Sequence, residues 1–151
     1  MNELISDEAK SWIGRSAEPL LVEISRRDIV KYSIATEQQQ EKYLKGDEAP
    51  PMFMFGALRP LVPMDELGPD GIPPDSFLPE LPLKRVMAGG TEMQFHRPVK
   101  PGDKLIATRS LHDLYEKQGK TGPLIFAVYN LSVENEDGEL VMEEKQTRIL
   151  R

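Results

Sequence analysis

Between residues 121 and 134 apolar side chains recur at every second position, as Ile125, Ala127, Tyr129, Leu131 and Val133, and this alternation constrains the chain more than any other feature. Successive side chains of a strand point to opposite faces, so these five form one apolar face that must be covered. Asp137-Gly138 follows, a dipeptide suited to a tight hairpin turn, and residues 139–150 return with polar side chains interleaved. Upstream, residues 84–97 and 103–116 read as two more strands joined at Pro98-Val99-Lys100-Pro101-Gly102, where proline fixes backbone torsion. The second half is therefore predicted as a meander of four consecutive antiparallel strands.

The first half carries helical signals. Ser6 before Asp7 and Glu8 offers an N-cap with acidic residues in the first turn, and Gly14 offers a stop, predicting an N-terminal helix within residues 1–14. Pro19 to Ser25 reads as a strand, after which Ser25 caps a helix beginning at Arg26 with Ile29, Val30, Ser33 and Ile34 on one side. Nine of the thirteen prolines then fall between Ala49 and Leu83, which excludes long regular elements there. A short apolar helix fits in Pro51 to Arg59, because proline is tolerated at a helix start and Pro60 ends it. Residues 62–83 are expected to be a Pro-rich irregular excursion, and loops of that length commonly serve function or an interface. Strands wrapping one apolar helix make the expected class α+β.

At 151 residues the chain fits a single domain, 1–151. It contains no cysteine, which removes disulfides, thiolate metal ligands and a cysteine nucleophile. Its two histidines, His96 and His112, stand apart without an acidic ligand pattern, so no metal is expected. His96 shares a predicted strand face with Glu92 and Gln94, and His112 one with Ile106, Thr108, Ser110 and Leu114. A net charge of -6 argues against nucleic acid. No apolar run approaches the roughly 20 residues of a membrane span. The acidic N-terminus lacks a basic stretch leading into an apolar one, so the expected location is cytoplasmic.

The segment Gly89-Gly90-Thr91-Glu92-Met93-Gln94-Phe95-His96-Arg97-Pro98-Val99-Lys100-Pro101-Gly102-Asp103 resembles the Gly-Gly…Phe-His-Arg-Pro…Pro-Gly-Asp segment of the MaoC-like dehydratases, in their FAS1-like N-terminal branch. The resemblance implies a hot-dog fold, an antiparallel sheet wrapped around a central helix, acting on acyl thioesters by enoyl hydration or its reverse. Such chemistry needs a base for water, an acid for the α-carbon and donors for the enolate-like oxygen. In the catalytic members the first two are an aspartate and a histidine in a segment of the form Asp-x-Asn-Pro-x-His after the first helix. Anchored on Ala35, the matching segment here puts Gln38 at the aspartate position and Tyr43 at the histidine. Glutamine has no titratable proton, and a phenol with a reference pKa of about 10 is a poor base near neutrality. Glu37, one position earlier, is the remaining carboxylate candidate.

The resemblance thus implies a subunit of an enoyl-CoA hydratase or 3-hydroxyacyl dehydratase that shapes the acyl-CoA tunnel and pairs, as a hetero-oligomer, with a MaoC-like chain bearing the dyad. The alternatives are a homodimeric hydratase or thioesterase using Glu37 or Tyr43, and a non-enzymatic acyl-CoA binding protein. Expected substrate contacts are Gly89, Gly90, Met87 and Tyr43, since adjacent glycines in a strand mark a bulge or a close approach by ligand or backbone. Lys84, Arg85, Arg97 and Lys100 are candidates for the phosphates of coenzyme A. The thioester comes from CoA or an acyl carrier protein, and no cofactor is expected beyond the coenzyme A within the substrate.

Overall fold

The computed structural model describes residues 3–151, so Met1 and Asn2 of the expected N-terminal segment lie outside the described residues. Helix α1, Asp7–Lys10, is shorter than the expected 1–14, and residues 11–14 continue only as a turn. Ser6 caps it, its hydroxyl accepting from the Ala9 amide at 3.1 Å. Strand β1, Leu20–Glu23, precedes α2, Arg26–Ala35, where Ser25 accepts from the Asp28 amide at 3.1 Å. A short α3, Glu41–Leu44, and α4, Phe53–Ala57, follow. The excursion holds one 3-10 turn, Met64–Glu66.

The sheet comprises β1 with β2, Val86–Phe95, β3, Lys104–Gly119, β4, Gly122–Asn135, and β5, Leu140–Leu150, in the order β1-β3-β4-β5-β2. This corrects the meander. Only β3, β4 and β5 follow one another in space, and β2 pairs with β5 at the far edge. The stiff connection from Pro98 to Gly102 is no hairpin. It crosses the end of the sheet, with Val99 buried, its carbonyl accepting from Ala49 at 2.8 Å, and Gly102 donating to Ile24 at 2.7 Å. The Asp137-Gly138 turn does close β4 onto β5, with Gly138 at φ 75°. A bulge between Leu111 and Asp113 makes a second correction: it turns Leu114 to the buried side, while His112 is the extra, exposed residue.

The expected apolar face of β4 is inside, with Ile125, Ala127, Tyr129 and Val133 all 0% exposed. Two clusters cover it. In one, Ile24, Ile29 of α2 and Phe53, Met54 and Leu58 around α4 pack on Leu105, Ala107, Val133 and Met142. In the other, Ile5, Ala9 and Leu81 pack on Leu111, Leu114, Ile125 and Leu150, with Trp12 and Phe77 alongside. Burial of each large side chain is worth about 2 kcal/mol, which sets the sheet's concave face as the stability centre. The architecture is the hot-dog α+β arrangement with its wrapped helix cut short, because Pro60 leaves α4 barely a turn. None of the ten β2 residues is buried.

Candidate functional site

The segment expected to match the dyad runs from the turn after α2 into α3. Thr36 caps α2, Glu37 adopts a left-handed φ of 56° and stays exposed, and the Gln38 amide donates back to the Ser33 carbonyl at 2.9 Å. The Gln38 side chain donates to Thr36 Oγ1 at 3.3 Å. Tyr43 lies in α3 and is buried, with the Lys42 ammonium 4.9 Å from its ring centre. Gly46 lets α3 close on α2: at φ 73°, a Cβ there would fall 2.8 Å from Arg26 Cγ and 2.9 Å from the Arg26 carbonyl. The segment is therefore firmly held, with a carboxamide at Gln38 in the turn and a packed phenol at Tyr43 in α3.

The glycine pair sits elsewhere, on edge strand β2. A bulge lies between Ala88 and Gly90, and a Cβ on Gly89 would stand 3.0 Å from both the Thr147 carbonyl and Ile149 Cγ1. Gly89 thus admits the close approach of β5, whereas nothing lies within 4 Å of a Cβ on Gly90. Met87 is exposed, opposite Ile149. Tyr43 belongs to α3 and is not part of that strand.

The four basic candidates divide. Lys84 and Arg85 precede β2, Arg85 exchanging backbone bonds with Arg151, while Arg97 and Lys100 follow it. Ten strand residues put the two pairs about 30 Å apart, too far to grip one phosphate group. Arg97 is paired with Glu139 at 2.8 Å. Along with His96 it lines a groove of about 280 Å³ against Pro50, Met54 and Phe95. His96 Nε2 lies 2.9 Å from Glu143, both partly exposed, outside the α2–α3 segment.

Sequence reasoning missed a belt of polar groups crossing the concave face between the two apolar clusters. By register Arg109, Leu131 and Glu144 lie side by side, as do Leu111, Tyr129 and Gln146, with Arg148 beside Ala127. Asp75, from the excursion, takes both terminal nitrogens of Arg109 at 3.0 and 3.1 Å and also contacts Arg148. Burial pushes the Asp75 carboxyl up, but the Arg109 hydrogen bonds, the charges of Arg109 and Arg148 and the Phe77 amide outweigh it, leaving its pKa below the ordinary 3.8. The Arg109 guanidinium lies 3.8 Å from the Tyr129 ring centre, and the Tyr129 hydroxyl donates to the Phe77 carbonyl at 2.9 Å. Burial, then the Asp75 charge, pushes the Tyr129 phenol up to about 12. Glu144 Oε1 accepts from Thr91 and from Gln146, each at 2.8 Å, so this buried carboxylate is held by neutral donors. The signal was in the strand: Met142, Glu144, Gln146, Arg148 and Leu150 alternate on the face that meets the apolar side of β4, so polar residues had to point inward.

A family model described as "FAS1-like, dehydratase domain region" matches residues 11–144. The mesaconyl-C(4)-CoA hydratase of Chloroflexus aurantiacus is 25% identical over 142 residues, covering 93% of this chain and 50% of that protein. The chain thus spans about half the length of that relative. Two solved structures from Mycobacterium tuberculosis share the fold. The ChsH1-ChsH2 complex superposes with a TM-score of 0.67 at 18% identity, over 89% of this chain and 83% of that one. The C-terminally truncated HadBC complex, a 3R-hydroxyacyl-ACP dehydratase, gives 0.65 at 20% identity, over 97% and 99%.

Proposed function

The chain belongs to the FAS1-like dehydratase family of MaoC-like hot-dog proteins, and from that membership we propose that it is the non-catalytic half of an enoyl-thioester hydratase or 3-hydroxyacyl dehydratase. Its relatives are hydratases and dehydratases, some of them in complexes named for two different chains. What carries the reading is the segment from the α2–α3 turn into α3, where the resemblance aligns Gln38 with the aspartate and the buried Tyr43 with the histidine. A carboxamide offers no titratable proton and a phenol is ordinarily a poor base, so the pair does not replace a carboxylate and an imidazole. The acid and base then come from a second MaoC-like unit, and this chain contributes scaffold and part of the acyl tunnel. The thioester would be of CoA, the carrier in the name of the Chloroflexus relative, or of an acyl carrier protein, and hydration requires no further cofactor.

The edges of the sheet support a paired state. An unpaired edge is a template for another strand, and proteins blunt it by shortness, charge or cover. At one edge β1 is only four residues long. At the other, β2 runs ten residues with Glu92 as its only charge, while Val86, Met87 and Phe95 are exposed. A partner strand continuing the sheet at β2 would satisfy its free backbone groups and cover these side chains.

Hydration of crotonyl-CoA, followed by loss of absorbance of the conjugated thioester, tests the proposal. The purified chain should be inactive and should gain activity when co-expressed with a MaoC-like chain bearing the Asp-x-Asn-Pro-x-His segment. Full turnover by the single chain, lost on substitution of Glu37 or Tyr43, would overturn it.

A further inference from the structure

Leu124 to Tyr129 is an unbroken apolar run at the start of β4, the pattern of a strand covered on both faces. Only one face is covered. Both apolar clusters lie on the concave side, and neither includes Leu124, Phe126 or Val128, which alternate onto the convex side. Cross-strand register sets three rows there: Lys117 beside Leu124, then Tyr115, Phe126 and Ile149, then Asp113, Val128 and Thr147. The Tyr115 and Phe126 rings stack at 5.1 Å, 5° from parallel, and both remain partly exposed, as do Leu124 and Ile149. The middle row is thus an apolar stripe with a cation on one side and an anion on the other. The Lys117 ammonium lies 5.0 Å from the Phe126 ring centre, and the Asp113 carboxylate accepts from the Leu114 amide at 2.8 Å. Neither enters an ion pair among the described residues.

This pattern is self-complementary. Two such faces can meet about a two-fold axis along the strands or across them. An axis along the strands lays the Lys117 row on itself, and Arg85 and Arg151, which extend that row by exchanged backbone bonds, make the contact cation on cation. An axis across the strands, through the Phe126 row, exchanges the outer rows: Phe126 meets Phe126, Leu124 meets Val128, and Lys117 meets Asp113 twice over. Stacked sheets lie about 10 Å apart with strands within about 30° of each other, which keeps facing side chains in reach. We propose that the convex face binds a second copy of this chain in this antiparallel, back-to-back arrangement, centred on Tyr115, Phe126 and Ile149. The contact leaves the β2 edge free and is independent of the pairing described above. Three rows about 7 Å apart on four strands span about 20 Å by 20 Å, which removes about 1,000 Å² from water over both copies. That is the lower bound for a specific interface, so the association is reversible, with a Kd on the order of 10 µM.

Sedimentation velocity on the full chain between about 1 and 200 µM should show its mass doubling with concentration. Lys117→Asp and Asp113→Lys each bring like charges together, so each should weaken self-association about tenfold or more at unchanged melting temperature. An equimolar mixture of those two variants should associate, because each chain supplies the charge that the other lacks. The double exchange Lys117→Asp/Asp113→Lys should restore the parental behaviour. Phe126→Ser should abolish the association, and where it also lowers the melting temperature the charge variants decide. A chain that stays monomeric at every concentration overturns the proposal. So does association that survives both single charge changes, which assigns it to the β2 edge, and so does a mixture of the two variants that stays dissociated.

Discussion

Strands β4 and β2 belong to one sheet, both hydrogen-bonded to β5, yet they live in different solvents. β4 has neighbours on both sides and buries Ile125, Ala127, Val128, Tyr129 and Val133. β2 has one neighbour and buries nothing. The difference teaches that backbone pairing places a strand, whereas covering its faces stabilises it. In this chain the stabilising work is concentrated in β3, β4 and β5, and β2 is held in place with its side chains largely exposed.

Large-to-small substitutions give the sharpest contrast. Ile125→Ala should cost about 4 kcal/mol in urea unfolding through lost transfer energy and a cavity, whereas Val86→Ala in β2 should cost under about 0.5 kcal/mol. Equal losses would break the comparison. A smaller effect comes from the belt between the clusters. Asp75 keeps a lowered pKa in the folded state, so its contribution is complete above 3.8 and is lost as acid titrates it below that value. Asp75→Asn should cost about 2 kcal/mol near neutrality, because it strips the charge partner from Arg109 and Arg148. That difference from the parent protein should shrink in acid-unfolding series below pH 3.8. The smallest effect concerns Tyr129→Phe, at about 1 kcal/mol for one buried hydrogen bond. Between pH 10 and about 12 the folded protein keeps a phenol proton that the unfolded chain releases, so stability should fall with rising pH there. The phenylalanine variant should lack that alkaline slope.

The elements legible in the sequence were those written in local patterns. The alternation from Ile125 to Val133, the Asp137-Gly138 turn and the caps Ser6 and Ser25 each depend on neighbours a few residues away, and each is where the spacing put it. What escaped depends on distant partners. The destination of β2 is decided by Val99 and Gly102 bonding across to Ala49 and Ile24, which no periodicity records. The His112 face was misassigned because a bulge shifts the period by one residue. The site divides likewise: Gln38, Tyr43 and Glu37 were singled out through a resemblance, and the structure sets Glu37 and Gln38 in the turn after α2 and Tyr43 in α3. Asp75, Arg109 and Arg148 lie far apart in sequence and meet only through register and the folded excursion. Their charges read as surface until β5 is laid against β4.

The polar belt also works as an index mark for strand alignment. Were β5 to slide by a single position along β4, Lys145 and Thr147 would turn inward and Arg148 would swing out to water, abandoning Asp75. The same slip would carry Met142 and Leu150 out of the apolar clusters, so lost burial and a lost ion pair penalise it together, and the charged residues add to an alignment that the apolar ones already favour.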